Sequence, residues 1–295
     1  MIVFGENISR EQFDPMNQSM NFPSAQALVP AMRLWLVADS VIVLIAGLQI
    51  FVLADHTNQF FAWTIVPPLT ATFLGSGYWA SLPLLILSSR QETWAHARLA
   101  FFGVLAFSLL TLVATLLHLE RFHIADPNPI ALIAAWIWLI VYVVFPPAMI
   151  ALIMIQIRVP GNEPPRAAPL AQWFRLVLGV QAASLLGFGI VLFLAPTALP
   201  WAWSLTPLTG RAIAAWLVGI GIIAAECVWE NDGARIKAGL LSYAIFGALS
   251  IFSLARYASS INWSSPVTIA YLIFIISMII VGGYGWQITR RLDPA

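Results

Sequence analysis

Eight apolar runs constrain what this chain can fold into more than any other feature of its 295 residues. They lie near Leu34 to Leu53, Leu69 to Leu87, Leu99 to Leu117, Ile130 to Ile157, Leu176 to Ala195, Ala212 to Val228, Ala238 to Leu254 and Val267 to Trp286. Each is close to the ~20 residues an α-helix needs to cross roughly 30 Å of hydrocarbon. Lipid offers backbone groups no hydrogen-bond partners, so such runs are expected as spanning helices. A transmembrane barrel would instead alternate apolar and polar residues, and no such segments occur. The expected fold is therefore an all-α membrane protein with eight transmembrane helices. Its composition, 60% hydrophobic and 9% charged, lies outside the soluble range and makes the lipid bilayer its first partner.

The runs fall into two sets of four, and the sets resemble each other. Trp63-Thr-Ile-Val-Pro-Pro-Leu-Thr70 recurs as Trp203-Ser-Leu-Thr-Pro-Leu-Thr209. At spacings near 135 to 142 residues, Arg33 matches Arg175, Asp39 matches Gln181, Ala97-Arg98 matches Ala234-Arg235, and Arg121-Phe122 matches Arg256-Tyr257. Pro129 matches Pro266, and Pro146-Pro147 falls opposite Gly282-Gly283. A tandem duplication of a four-helix unit is expected. Residues 1–32 form a polar tail, 33–158 the first repeat, 159–174 a Pro-rich linker and 175–295 the second repeat. The paired breakers Pro146-Pro147 and Gly282-Gly283 predict bends in the fourth and eighth helices.

Basic residues set the expected orientation. With the N-terminus inside, eleven face the cytoplasm: Arg10, Arg33, Arg90, Arg98, Arg158, Arg166, Arg175, Arg235, Lys237, Arg290 and Arg291. Only Arg121, Arg211 and Arg256 face outward. Both termini are expected in the cytoplasm of a plasma membrane. Four spans per repeat then give parallel copies related by an axis along the membrane normal.

In the repeated motif, Thr206 is placed to cap a helix whose first residue is Pro207, and Pro68 plays the same part in the first copy. Trp63, Trp201 and Trp203 are expected in the outer aromatic belt. A sharper reading has these positive helix ends binding an anion with help from Arg211. At the outer face the first copy carries Asp55, Glu120, Asp126 and Arg121, and the second Arg211 and Arg256. Opposite charges predict a pair between the copies.

Ionisable groups within hydrocarbon are functional candidates. Asp39, matched by Gln181, and Glu226 are the two the spans contain, both expected toward the cytoplasmic side. His118, Glu120, His123, Asp126 and His56 supply nitrogen and oxygen donors at the outer loops, and a divalent metal is the one cofactor they leave open. Other classes are excluded. The single cysteine forms no internal disulfide, and the single lysine, Lys237, sits at a helix edge rather than where a retinal Schiff base would need it. No phosphate-binding glycine loop occurs. Nor does an arginine ladder or a basic patch for nucleic acid.

The function expected is binding or translocation of a small, uncharged solute between the repeats, where bends at Pro146, Pro147, Gly282 and Gly283 free backbone groups. The alternatives are a non-catalytic subunit packed against other membrane subunits or a second copy, and an outer-face metalloenzyme.

Overall fold

The computed structural model describes residues 24–292. Most of the polar tail predicted for residues 1–32 lies outside that range. The chain is all-helical, with 77% helix and, among the described residues, no strands. Eight helices are long and apolar enough to cross a membrane: α1 Pro30–Val52, α2 Pro68–Ser89, α3 Trp94–Leu117, α4 Pro129–Gln156, α5 Gln172–Leu194, α6 Pro207–Glu230, α7 Gly233–Arg256 and α8 Pro266–Thr289. All eight predicted runs are present. Most extend beyond the apolar stretch into flanking polar residues.

Burial sorts the helices into two layers. The most buried are α2 (72%) and α6 (61%), followed by α3 and α7 at 50% each, while α4 and α8 are buried over only 28%. The exposed faces of α4 (Ile133, Ile137, Ile140, Val144) and α8 (Ile269, Ile273, Ile276, Ile280) are continuous apolar stripes. Such stripes are what lipid requires of an outer helix. The closest helix pairings are α1 with α2, α3 with α6, α2 with α7, α5 with α6, and α7 with α8. Small residues permit the inner crossings. A Cβ on Gly103 of α3 would stand 2.7 Å from the Gly219 carbonyl of α6, and one on Gly219 would stand 3.0 Å from the Gly103 carbonyl.

The helix starts follow their sequence signals. Pro207 begins α6 behind a capping box, with the Thr206 hydroxyl accepting from the Thr209 amide at 3.2 Å and the Thr206 amide donating to the Thr209 hydroxyl at 2.8 Å. Pro68 begins α2, but its preceding residue is Pro67, which offers no side-chain cap.

Helix α4 stays helical through Pro146-Pro147 and α8 through Gly282-Gly283, with the two prolines leaving two amide donors out of the α4 ladder. Gly282 serves close packing, since a Cβ there would meet the Ala244 amide nitrogen of α7 at 2.6 Å. One expectation is overturned: Trp63 and Trp203 are not belt residues; they are buried, 3% and 7% exposed. Trp63 packs on Phe61, Phe122 and Trp138, and the Trp203 indole donates to the Thr70 hydroxyl at 2.9 Å. The Trp203 indole gains aromatic neighbours and an internal acceptor in the core, whereas Trp63 has its aromatic neighbours alone, its Nε1 buried without a partner.

The end of α1 departs from regular helix. Leu48–Val52 is a π-turn, and Arg256 from α7 donates to the Phe51 carbonyl at 2.6 Å and to the Val52 carbonyl at 3.3 Å. The widened turn leaves carbonyls unpaired, and the guanidinium satisfies them.

Candidate functional site

A cavity of about 70 Å³ lies at the centre of the bundle, lined from α1, α2, α3, α4, α6 and α7. Its walls are mostly aromatic and small: Tyr78, Phe107, Tyr142, Phe145, Trp216, Tyr243 and Phe246 stand among Gly77, Gly103, Gly219 and Gly239. The glycines let the helices around it cross closely, since a Cβ at any of the four would meet a neighbouring helix at 3.0 Å or less.

Among the described residues, Asp39 is the one charged residue lining this cavity. It is 5% exposed, and its Oδ2 has no hydrogen-bond partner. It stands nine residues into α1, about 14 Å along the axis from Pro30 at 1.5 Å per residue. The neighbouring hydroxyls do not reach it. Tyr78 and Tyr142 bond each other at 2.7 Å, while Ser81 and Ser108 donate to carbonyls one turn back at 2.7 Å each.

Gln181, its match in sequence, is fully engaged. It donates to the Ser277 hydroxyl at 2.8 Å and accepts from the Tyr243 hydroxyl at 3.1 Å, tying α5 to α8 and α7. That is an interhelical polar contact of the kind the sequence suggested.

A second polar site closes the N-terminal face, the end at which α1 begins. Arg98 of α3 and Arg235 of α7 converge on Glu230 at the end of α6 and on Glu163 of the linker. Arg98 bonds Glu230, and it meets Glu163 at 2.7 Å. Arg235 meets Glu163 at 2.5 Å and Glu230 at 3.0 Å, and also donates to the Pro164 carbonyl. Arg235 and Glu230 are each 2% exposed. The two guanidiniums, Arg98 first, hold Glu163 down at about 2. The linker is thereby bound across three helices, and Asp232 and Asn231 add bonds to the Ala167 and Leu170 amides.

Sequence reasoning missed this cluster, since arginines flanking apolar runs read as interface residues. The match of Ala97-Arg98 with Ala234-Arg235 was the available signal. Glu226 lies one turn before Glu230 on α6, its Oε2 buried and unpartnered. Ile223, three residues earlier, already lines the cavity. One face of α6 therefore runs from the cavity through Glu226 to the ionic cluster.

The far-face candidates separate. Arg256 pairs with Asp55 at 3.0 Å, as opposite charges predicted. Arg211 finds no carboxylate; it donates to His118 Nε2 at 2.7 Å. Burial and that guanidinium lower His118 from its ordinary value, in keeping with a neutral acceptor. His123 Nδ1 donates to the Phe61 carbonyl at 2.9 Å, with Nε2 3.1 Å from the Thr64 hydroxyl. Asp126 accepts from the Asn128 amide, Glu120 lies 3.6 Å from Arg121, and His56 is exposed. Among the described residues, no three His, Cys, Asp or Glu side chains assemble as a metal site.

A second cavity, of about 330 Å³, lies among α5, α6, α7 and α8 with Phe73 of α2. Among the described residues, none that lines it is charged.

The chain matches no family model, no curated protein and no solved structure. Fold and site define a multi-pass membrane bundle built around a central cavity with one unpaired carboxylate.

Proposed function

We propose that this protein binds or translocates a small solute in the central cavity, within a bundle of two four-helix units. The observation that carries the reading is the Asp39 carboxylate, buried and with one oxygen unpartnered on the wall of a cavity of about 70 Å³ shared by helices from both halves. A cavity that served only packing would be filled or apolar, because an unpaired buried polar group costs stability. The duplication is supported by matched burial, α4 with α8 and α3 with α7, and by the reciprocal contacts of α2 with α7 and α3 with α6. A two-fold relation exchanges exactly those last two pairs. The basic-residue count places the ionic cluster on the cytoplasmic side of a plasma membrane.

The test is a thermal-shift screen of solutes on purified protein, repeated on Ala80→Phe, which fills the cavity. A solute that stabilises the parent chain and loses its effect in the filled variant is expected. Stabilisation that persists at full size in the filled variant would place the site elsewhere and defeat the proposal.

A further inference from the structure

We infer that the solute is a small organic cation, an amine carrying one or two carbons, and that Asp39 is its counter-ion. This rests on the solute-binding reading above and names its chemistry.

Charge comes first. Asp39 is 5% exposed with a free Oδ2, and no ion pair joins it among the described residues. An isolated carboxylate in so dry a place is strongly unfavourable as an anion, and a proton or a cation beside it offsets that cost. A neutral solute leaves the charge as it was, and an anion adds repulsion.

The walls then choose between kinds of cation. A hard metal ion takes six or more oxygens. Beside the Asp39 carboxylate the lining supplies neutral hydroxyl oxygens, among them those of Ser81, Ser108, Tyr78 and Tyr142, and no second charged ligand among the described residues. What the cavity offers in quantity is aromatic surface, from Tyr78, Phe107, Tyr142 and Trp216. Ring faces attract an ammonium group and also cover its carbon substituents. One carboxylate among aromatic rings therefore suits an amine and leaves a bare metal ion short of charged ligands.

The approach agrees in sign. Along α6 the cavity-lining Ile223 is followed by Glu226, whose Oε2 is buried and unpartnered, and then by Glu230. Glu230 is already answered by Arg98 and Arg235, so it is Glu226, the acid nearer the cavity, whose free oxygen favours cations over anions there. In the uncharged second cavity no such preference is built.

The experiment uses full-length purified protein and three probes of similar size: ethylamine, which is a cation at neutral pH, ethanol, which is neutral, and acetate, which is an anion. The amine is expected to raise the melting temperature saturably, and the other two to leave it unchanged. Asp39→Asn should weaken the amine on the order of 30-fold or more, the effect of removing one partner of a buried charge pair. Asp39→Glu, which keeps the charge, should retain a saturable response, and this guards against reading a folding defect as lost binding. An alcohol response equal to the amine's overturns the cation and leaves the solute-binding reading standing. A flat response to all three probes overturns both. An amine response undiminished in a folded Asp39→Asn protein puts the cation elsewhere and overturns the assignment of Asp39.

Discussion

The ionic cluster at the N-terminal face and the carboxylate in the central cavity are both buried charges, and the fold treats them oppositely. Arg98, Arg235, Glu230 and Glu163 answer one another, two cations against two acids, with a linker carbonyl taking a further donor. Asp39 answers to nothing among the described residues. A buried charge that is fully paired belongs to the fold, since its partners offset its desolvation. One left unpaired is a cost the fold carries without return, and that is why it marks a site. Gln181 stands between the two, uncharged and fully hydrogen-bonded.

The largest effect is expected where a paired charge loses its partner. Glu230→Ala leaves two guanidiniums buried against a single, half-exposed Glu163, and should destabilise the protein by about 3–5 kcal/mol. Denaturation in detergent measures it. A melting temperature close to the parent's would mean the cluster is solvated in practice, and the contrast with Asp39 would disappear.

Gln181→Leu is expected to cost less, about 1–3 kcal/mol, by stranding the Tyr243 hydroxyl in an apolar setting. Pairing it with Tyr243→Phe removes the stranded donor. The double variant should therefore be more stable than the sum of the single losses predicts. Strict additivity would show that the two side chains do not depend on each other.

How much of this was legible in the sequence depends on whether a signal is local. The eight spans and the starts at Pro68 and Pro207 follow from hydropathy and from proline's missing amide, both properties of a few adjacent residues. Asp39 stood out because a carboxylate in an apolar run is costly wherever the helix turns. The unfilled space around it was not legible, since that depends on Gly103 of one helix meeting Gly219 of another. The same holds for Trp63 and Trp203, whose burial is decided by partners far along the chain. Arg98 and Arg235 were misplaced for a related reason: a flanking arginine looks the same whether it meets headgroups or a buried Glu230. The π-turn at Leu48–Val52 has no local signature, and it is satisfied by Arg256, some 200 residues away.

Glu163 sharpens the comparison from the solvent side, because its side chain is 47% exposed. Arg98 and Arg235 depress it to about 2 from an ordinary 4.5. An acid depressed on folding contributes stability that is fully present above 4.5 and is lost as pH falls from there toward 2. Solvent screening reduces this contribution to ~1 kcal/mol or less. Glu163→Gln should therefore lower stability slightly at neutral pH, with the gap to the parent chain closing in that acid window. A gap that stays constant down to pH 2 would assign the loss to packing rather than charge.

The smallest effect on stability is expected at the most unusual charge. Asparagine has the shape of aspartate and removes only the ionisation, so Asp39→Asn breaks no ion pair and frees the cavity wall of an unpaired carboxylate. Stability should fall by no more than about 0.5 kcal/mol, the range of a substitution outside any network, or rise. Gln181→Leu, at the matched position, should fall by several times that amount. A site residue and a structural residue are separated by this ordering: the first can be neutralised without harm to the fold, and the second cannot. If Asp39→Asn destabilises the protein as much as Gln181→Leu does, Asp39 has a structural partner. The cavity would then hold a fold contact rather than a binding group, and the proposed function would lose its single strongest support.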